Sequence, residues 1–196
     1  MTELPLQQKV PVFPLNTLLF PGCRLSLQIF EQRYLNMLSA CLKQGRGFVI
    51  VLIRKGSELG VSPDIFPVGT LVQVIDWHQQ SNGVLGITVE GMHRVALHDL
   101  ETLEDGLLTA TTRHLDEPQI QQSWPTEPLI ALLDTLAEHP LVKQLGVNAD
   151  HGDINSLIWC LTGLLPFSNL EKQHMLELEE VGPRRQELNR LLESLS

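Results

Sequence analysis

Leu71-Val72-Gln73-Val74-Ile75-Asp76-Trp77, then Ser81-Asn82-Gly83, then Val84-Leu85-Gly86-Ile87-Thr88-Val89 is the stretch that sets the reading of the whole chain. β-Branched residues crowd both flanks, and Asn82-Gly83 supplies the left-handed geometry of a tight hairpin turn between them. The pattern continues outward in both directions. Upstream, Leu25, Leu27 and Ile29 alternate with polar neighbours, and Phe48 to Ile53 is a continuous apolar run. Downstream, Val95 to Leu100 and Leu107 to Thr112 read as two more strands, separated by the acidic turn Glu104-Asp105-Gly106. Many strands joined by short, turn-rich connections predict a closed or partly closed β-barrel.

One helix interrupts these strands. Tyr34, Leu35, Met37, Leu38, Cys41 and Leu42 share a helical face, and Gly45 stands where a C-cap belongs. It is expected to plug or cover one side of the barrel. The polar segment from Asp116 to Pro128 carries Pro118, Pro125 and Pro128, so the boundary between subdomains is placed there, giving residues 1–117 and 118–196. Beyond it the apolar period changes from two to about 3.6. Leu129, Ile130, Leu132, Leu133, Leu136 and Ala137 form a stripe behind a Thr126 cap, ended by Pro140. Ile154, Leu157, Ile158, Leu161, Leu164 and Leu165 form a second, and Ser168 with Glu171 makes a capping box for a third. Pro183 is expected to start a fourth helix, with Leu188, Leu191, Leu192 and Leu195 on one face. The fold class is α+β, a β-barrel with one packed helix followed by an α-helical bundle.

With 196 residues, 43% of them hydrophobic and 19% charged, the chain is long and apolar enough to build a core without disulfides. Its net charge of -9 is unevenly placed: residues 1–100 sum to +1 and residues 101–196 to -10. Nucleic-acid affinity comes largely from Lys and Arg neutralising phosphates, so this balance argues against DNA, RNA or an anionic membrane as partner. Cys23, Cys41 and Cys160 are an odd number without C-x-x-C spacing, which suits buried, reduced thiols in a cytoplasmic protein. Met1 to Val10 lacks the charged start and apolar run of a signal peptide. Val10 to Cys23 is uncharged but short, and carries Pro11, Pro14 and Pro21, so it cannot span a bilayer as a helix.

The common catalytic motifs fail one by one. No lysine is followed by Ser or Thr, which excludes a Walker A loop, and Gly45-Arg46-Gly47 has Ile50 where a dinucleotide fingerprint needs glycine. No serine has glycine two residues before and two after it, and no H-E-x-x-H occurs. His93 and His98, five apart in an expected strand, fall on opposite faces and cannot chelate together. His151-Gly152-Asp153 reads as an Asp-capped helix start. No catalytic residue, metal ligand or cofactor is expected.

Pro11-Val12-Phe13-Pro14-Leu15-Asn16-Thr17-Leu18-Leu19-Phe20-Pro21-Gly22, followed by Leu25 to Ile29 and Phe30-Glu31-Gln32-Arg33-Tyr34, resembles the opening of the Lon protease N-terminal domain in its stand-alone form. Val68-Gly69-Thr70, Val89-Glu90-Gly91 with Arg94, and Leu164-Leu165-Pro166 leading to Glu171-Lys172-Gln173 continue the likeness in order. It implies a PUA-like β-barrel followed by a helical bundle, and a non-catalytic module that recognises substrate proteins, without Lon's ATPase or Ser-Lys peptidase. Pro14 and Pro21 then fix the entry to the barrel, Gly22 and Gly69 permit turns, and Phe13, Leu15 and Phe20 belong to the core.

Five residues are the candidates for binding: Glu31, Arg33, Tyr34, Trp77 and Arg94. Aromatics and arginines dominate contact hot spots, and Trp124 is a further aromatic of interest. For Glu31, Arg33, Glu90 and Arg94 the first expectation is an internal ion-pair network tying helix to barrel. The expected partner is an unfolded or exposed polypeptide segment, as for an adaptor in quality control. Cooperation with a separate protease and homo-oligomer formation stay open. The competing reading is a small-molecule binder or enzyme with a pocket between barrel and bundle, lined by Arg33, His78, Arg94 or a cysteine. RNA binding follows only from analogy with other barrels of this type, and the acidic balance weighs against it.

Overall fold

The computed structural model describes residues 9–58, 63–79, 84–117, 125–145 and 150–195, which hold seven strands and six helices. The Ser81-Asn82-Gly83 turn, Trp124 and the 117/118 boundary lie outside the described residues.

Strand β1 (Val10–Leu15) runs parallel to β3 (Phe48–Lys55) on one side and antiparallel to β7 (Leu108–His114) on the other. From β7 the pairing passes to β6 (Leu85–Thr102), then to β5 (Val68–Gln79), then to β3, always antiparallel. The hydrogen-bonded path thus returns to β1. Strand β2 (Arg24–Ile29) lies off this path, antiparallel to β6, and β4 (Asp64–Ile65) pairs with β3.

β6 is one strand of 18 residues where the sequence suggests two, Val84–Val89 and Val95–Leu100. The break in its apolar pattern is a crossing point and not a turn. Gly91 sits there, donating its N–H to the Cys23 carbonyl at 2.9 Å and accepting from Gly22 N–H at 2.8 Å. A Cβ on Gly91 would meet the Phe20 carbonyl oxygen at 2.3 Å. On this side β6 pairs with β2 before Gly91 and with β7 from Val95 on. Gly69, expected in a turn, lies inside β5, where a Cβ would strike the Ile50 carbonyl oxygen at 2.5 Å. Close backbone approach, and not a left-handed turn, requires glycine at both places.

Helix α1 (Gln32–Gln44) ends at Gly45, whose φ of 61° lets its N–H reach the last-turn carbonyls. Tyr34, Met37, Leu38 and Cys41 of α1 pack on Phe13, Leu15, Phe48, Ile50, Val72, Ile87 and Val89. The alternate residues Val12, Val49 and Val51 enter a different cluster with Val95, Leu97, Leu108 and Ala110. Burial on both faces explains why Phe48 to Ile53 is apolar without alternation.

The remaining helices are α2 (Glu127–Ala137), α3 (Pro140–Leu145), α4 (Ile154–Leu164), α5 (Asn169–Glu177) and α6 (Val181–Ser194). Thr126 holds the N-cap position of α2 but makes no side-chain cap bond, because its backbone is already helical. Pro140 follows α2 as expected and also opens the short α3, where its fixed φ suits a first helical position. α6 begins at Val181, two residues before Pro183, since a proline is tolerated throughout the first turn where no N–H has an internal partner. Asp153 caps α4, accepting from Asn155 and Ser156 N–H, and the Ser168/Glu171 capping box of α5 is complete. Residues of α2, α4, α5 and α6 form one core around Trp159, and Phe20 stacks on the indole at 5.6 Å between ring centroids.

Candidate functional site

The main-chain parity of β2 leaves one of its edges open. The Gly91 N–H to Cys23 C=O bond and the register Leu25↔Val89 and Leu27↔Ile87 aim the odd-numbered residues at β6. The N–H and C=O groups of Ser26 and Gln28 therefore point away from β6. Among the described residues no strand pairs with this edge and no hydrogen bond reaches those groups. Beside it opens a half-enclosed cavity of about 230 Å³. Phe13, Leu15 and Tyr34 furnish its buried floor, and Glu31 and Glu58 stand at its rim.

Arg33 holds this rim in place. Its guanidinium bonds Glu31 at 2.8 and 2.9 Å, the Gly106 carbonyl at 3.0 Å and the Glu58 carbonyl at 3.3 Å. Its Cζ also lies 4.7 Å from the centre of the Tyr34 ring, which packs on Phe13 at 4.1 Å. Burial pushes the Tyr34 hydroxyl above its ordinary pKa, so the ring stays neutral at physiological pH. Glu58 accepts the Asn16 N–H at 2.6 Å. The site thus offers unpaired backbone groups along a strand, an apolar hollow beside them and a fixed acidic rim. Among the described residues it holds no nucleophile–base pair. Its chemistry suits binding an extended chain with an apolar side chain.

Glu31, Arg33 and Tyr34 therefore converge at the start of α1, with Phe30 exposed next to them. Trp77 is exposed near the end of β5, opposite Ile87, and does not line the cavity. Arg94 is wholly buried elsewhere: it bonds Glu117 at 2.7 Å and the carbonyls of Leu176 and Leu178 at 2.8 and 3.1 Å. Glu90 pairs with Arg24 at 2.8 Å on the β2–β6 ladder. Glu117 and Arg184, which complete the Arg94 cluster, were not singled out by the sequence. Neither was His114, whose ring meets His93 at 4.3 Å across β6 and β7. Burial and that neighbour hold His93 below the ordinary histidine pKa. Among the described residues no three His, Cys, Asp or Glu side chains gather to hold a metal, and no helix is long and apolar enough to cross a membrane.

Known proteins resemble this chain along nearly its whole length. The crystal structure of the Lon N-terminal domain protein from Xanthomonas campestris is 27% identical, covers 94% of this chain and 97% of its own, and superimposes with a TM-score of 0.68. The N-terminal domain of Mycobacterium avium complex Lon protease shares the fold at 15% identity, with a TM-score of 0.64 and coverage of 92% and 96%. Lon protease 1 of Bdellovibrio bacteriovorus is 26% identical over 95% of this chain, and Lon protease of Escherichia coli 22% over 95%. The chain spans about a quarter of the length of these two proteases, 24% and 25%. The model of the ATP-dependent protease La (LON) substrate-binding domain matches residues 9–194, and the chain belongs to that family.

Proposed function

We propose that this chain is a non-catalytic recognition module that captures extended, apolar polypeptide segments along the open edge of β2. The observation that carries this reading is the coincidence of unpaired Ser26 and Gln28 backbone groups with the Phe13/Leu15/Tyr34 hollow. Main-chain pairing gives affinity without sequence preference, and the hollow selects an apolar side chain. Membership of a substrate-binding family supports a polypeptide as ligand. The architecture we assign is a PUA-like barrel, residues 1–117, joined to a helical bundle, residues 118–196. The returning strand path and the core shared by α2, α4, α5 and α6 support it. An adaptor or selector role in cytoplasmic protein quality control follows from such binding, with a separate protease or a second copy of the chain as further partner. For the alternative, a small-molecule site between the two parts, the junction offers Trp159 already packed against Arg94 and Arg184.

The test uses Gln28→Pro, which deletes the outward N–H while leaving the β6 ladder intact, as an edge strand tolerates. A fluorescently labelled, permanently unfolded polypeptide is titrated against wild type and variant by anisotropy. Saturable binding weakened about tenfold in the variant, some 1.4 kcal/mol, with an unchanged circular dichroism spectrum, is expected. Equal binding by the two proteins would place recognition elsewhere. Retention of RNA that falls steeply with salt, in place of polypeptide binding, would overturn the reading altogether.

A further inference from the structure

Two thiols meet where the strands touch the helical core. Cys23 is half-buried in the turn leading into β2, and Cys160 is fully buried on α4. They are 137 positions apart in sequence, yet their Sγ atoms lie 4.0 Å apart. The Cys23 thiol also approaches the Trp159 carbonyl at 3.8 Å. One turn on from Cys160, a Cβ added to Gly163 would stand 3.5 Å from the Cys23 sulfur, so that sulfur rests directly on the α4 backbone. Lys172 of α5 donates to the Gly163 carbonyl at 2.9 Å, and its ammonium favours the ionised form of Cys23. Within the pair, Cys23 is pushed above the ordinary thiol pKa because it donates its S–H to Cys160 and is buried. Cys160 is drawn below it by receiving that hydrogen bond. The hydrogen bond sets the two sulfurs side by side, within reach of thiol–disulfide exchange. Cys41, on α1, faces the Gly47 carbonyl at 3.7 Å and belongs to a different cluster.

We propose that Cys23 and Cys160 are a reversible dithiol–disulfide site, oxidised by low-molecular-weight disulfides of the glutathione class, that staples the entrance of β2 to α4. The reaction balances without a further co-reactant. Cys23, the less buried of the two, loses its proton and attacks one sulfur of the small disulfide, forming a mixed disulfide and releasing one thiolate of the oxidant. The Cys160 thiolate then attacks the Cys23 sulfur, forming the Cys23–Cys160 bond and expelling the second thiolate. Both released thiolates take up the protons lost by the two cysteines. The protein is oxidised by two electrons and the small disulfide is reduced by two. Closing the bond brings the sulfurs from 4.0 Å to about 2 Å, which requires the Cys23 turn to settle further onto α4. Neither cysteine lines the hollow beside β2.

The full chain is equilibrated in glutathione buffers from fully reduced to fully oxidised, acid-quenched, unfolded, alkylated and mapped by mass spectrometry. In oxidised buffer two of the three thiols are expected to escape alkylation, in a Cys23–Cys160 crosslinked peptide that reductant reverses. The crosslinked form is expected to melt about 10 °C higher, as a long closed loop implies. Cys160→Ser is expected to trap glutathione on Cys23, and Cys41→Ser to behave as wild type. Three alkylated thiols in oxidised buffer, a crosslink through Cys41, or a glutathione adduct persisting on wild-type Cys23 would each overturn the proposal. A crosslink that leaves the melting temperature unchanged would overturn the staple. Should Cys160→Ser not fold, the wild-type map decides alone.

Discussion

Arg94 and Arg184 are both fully buried, and the Glu117 carboxylate bonds both. Both guanidiniums lie against Trp159, with Cζ atoms 5.5 and 4.4 Å from the ring centre. Carbonyls of Leu176, Leu178 and Glu179 and the Asn155 side chain take much of the remaining donor capacity. Two buried cations on one anion make that anion indispensable, because removing it strands both charges out of water. Glu117→Gln is expected to destabilise the protein by about 3 kcal/mol in urea denaturation. Glu90→Gln removes only the partly exposed pair with Arg24 and should cost under about 1 kcal/mol. A smaller effect for Glu117 than for Glu90 would refute this ranking. The importance of Arg94 was legible from its motif, but its partner was not. Glu117 lies in a stretch whose acidity reads as solvated surface. Arg184 did leave a signal: it stands four and seven residues before Leu188 and Leu191, on the buried stripe of α6. An arginine on an apolar stripe is a candidate for a paired, buried charge.

Among elements, Thr126 and Ser168 look alike in sequence, each a hydroxyl residue before a helical stripe. Only Ser168 has extended backbone, and its hydroxyl accepts the Glu171 N–H while the Glu171 carboxylate accepts the Ser168 N–H. Ser168→Ala is expected to cost about 1 kcal/mol. Thr126→Ala should change stability by less than about 0.5 kcal/mol. Matched thermal melts of the two variants decide, and equal losses would contradict the difference in cap geometry. The S-x-x-E spacing carried the information, since its two halves bond each other locally, whereas Thr126 has no such reciprocal partner. The same logic separates what was readable in the sheet. Alternation marked β2 and continuous apolarity marked β3, but the 18-residue β6 was hidden because Glu90-Gly91-Met92-His93-Arg94 interrupts the pattern. The close approach of Phe20 to Gly91 joins residues distant in sequence, and no local pattern records it. The open edge of β2 was equally illegible, since an edge is defined by the strand that fails to pair with it.

At the scale of the molecule, a change of period after residue 117 suggests two separable parts, but the packing crosses that line. Phe20, from the strand half, is 1% exposed inside the helical core and stacks on Trp159, with Leu18, Cys23 and Val68 packed against the same cluster. Gln173 of α5 donates to the Val68 carbonyl at 3.2 Å, Asn169 to the Asn16 carbonyl at 2.6 Å, and Arg94 of β6 to the Leu176 carbonyl at 2.8 Å. Neither half can therefore lose its order without opening the other's core, and a single cooperative transition follows. Trp159 reports on the shared core by fluorescence, while the exposed Trp77 changes its surroundings little on unfolding. Far-ultraviolet circular dichroism follows strands and helices together. Urea curves from the two probes are expected to coincide. Phe20→Ala removes a large buried ring from the seam and should lower the stability by about 3 to 5 kcal/mol, shifting both curves by the same amount. Were the Trp159 signal to move alone, with the dichroism midpoint left in place, the seam would be a contact between independent units and not a shared core.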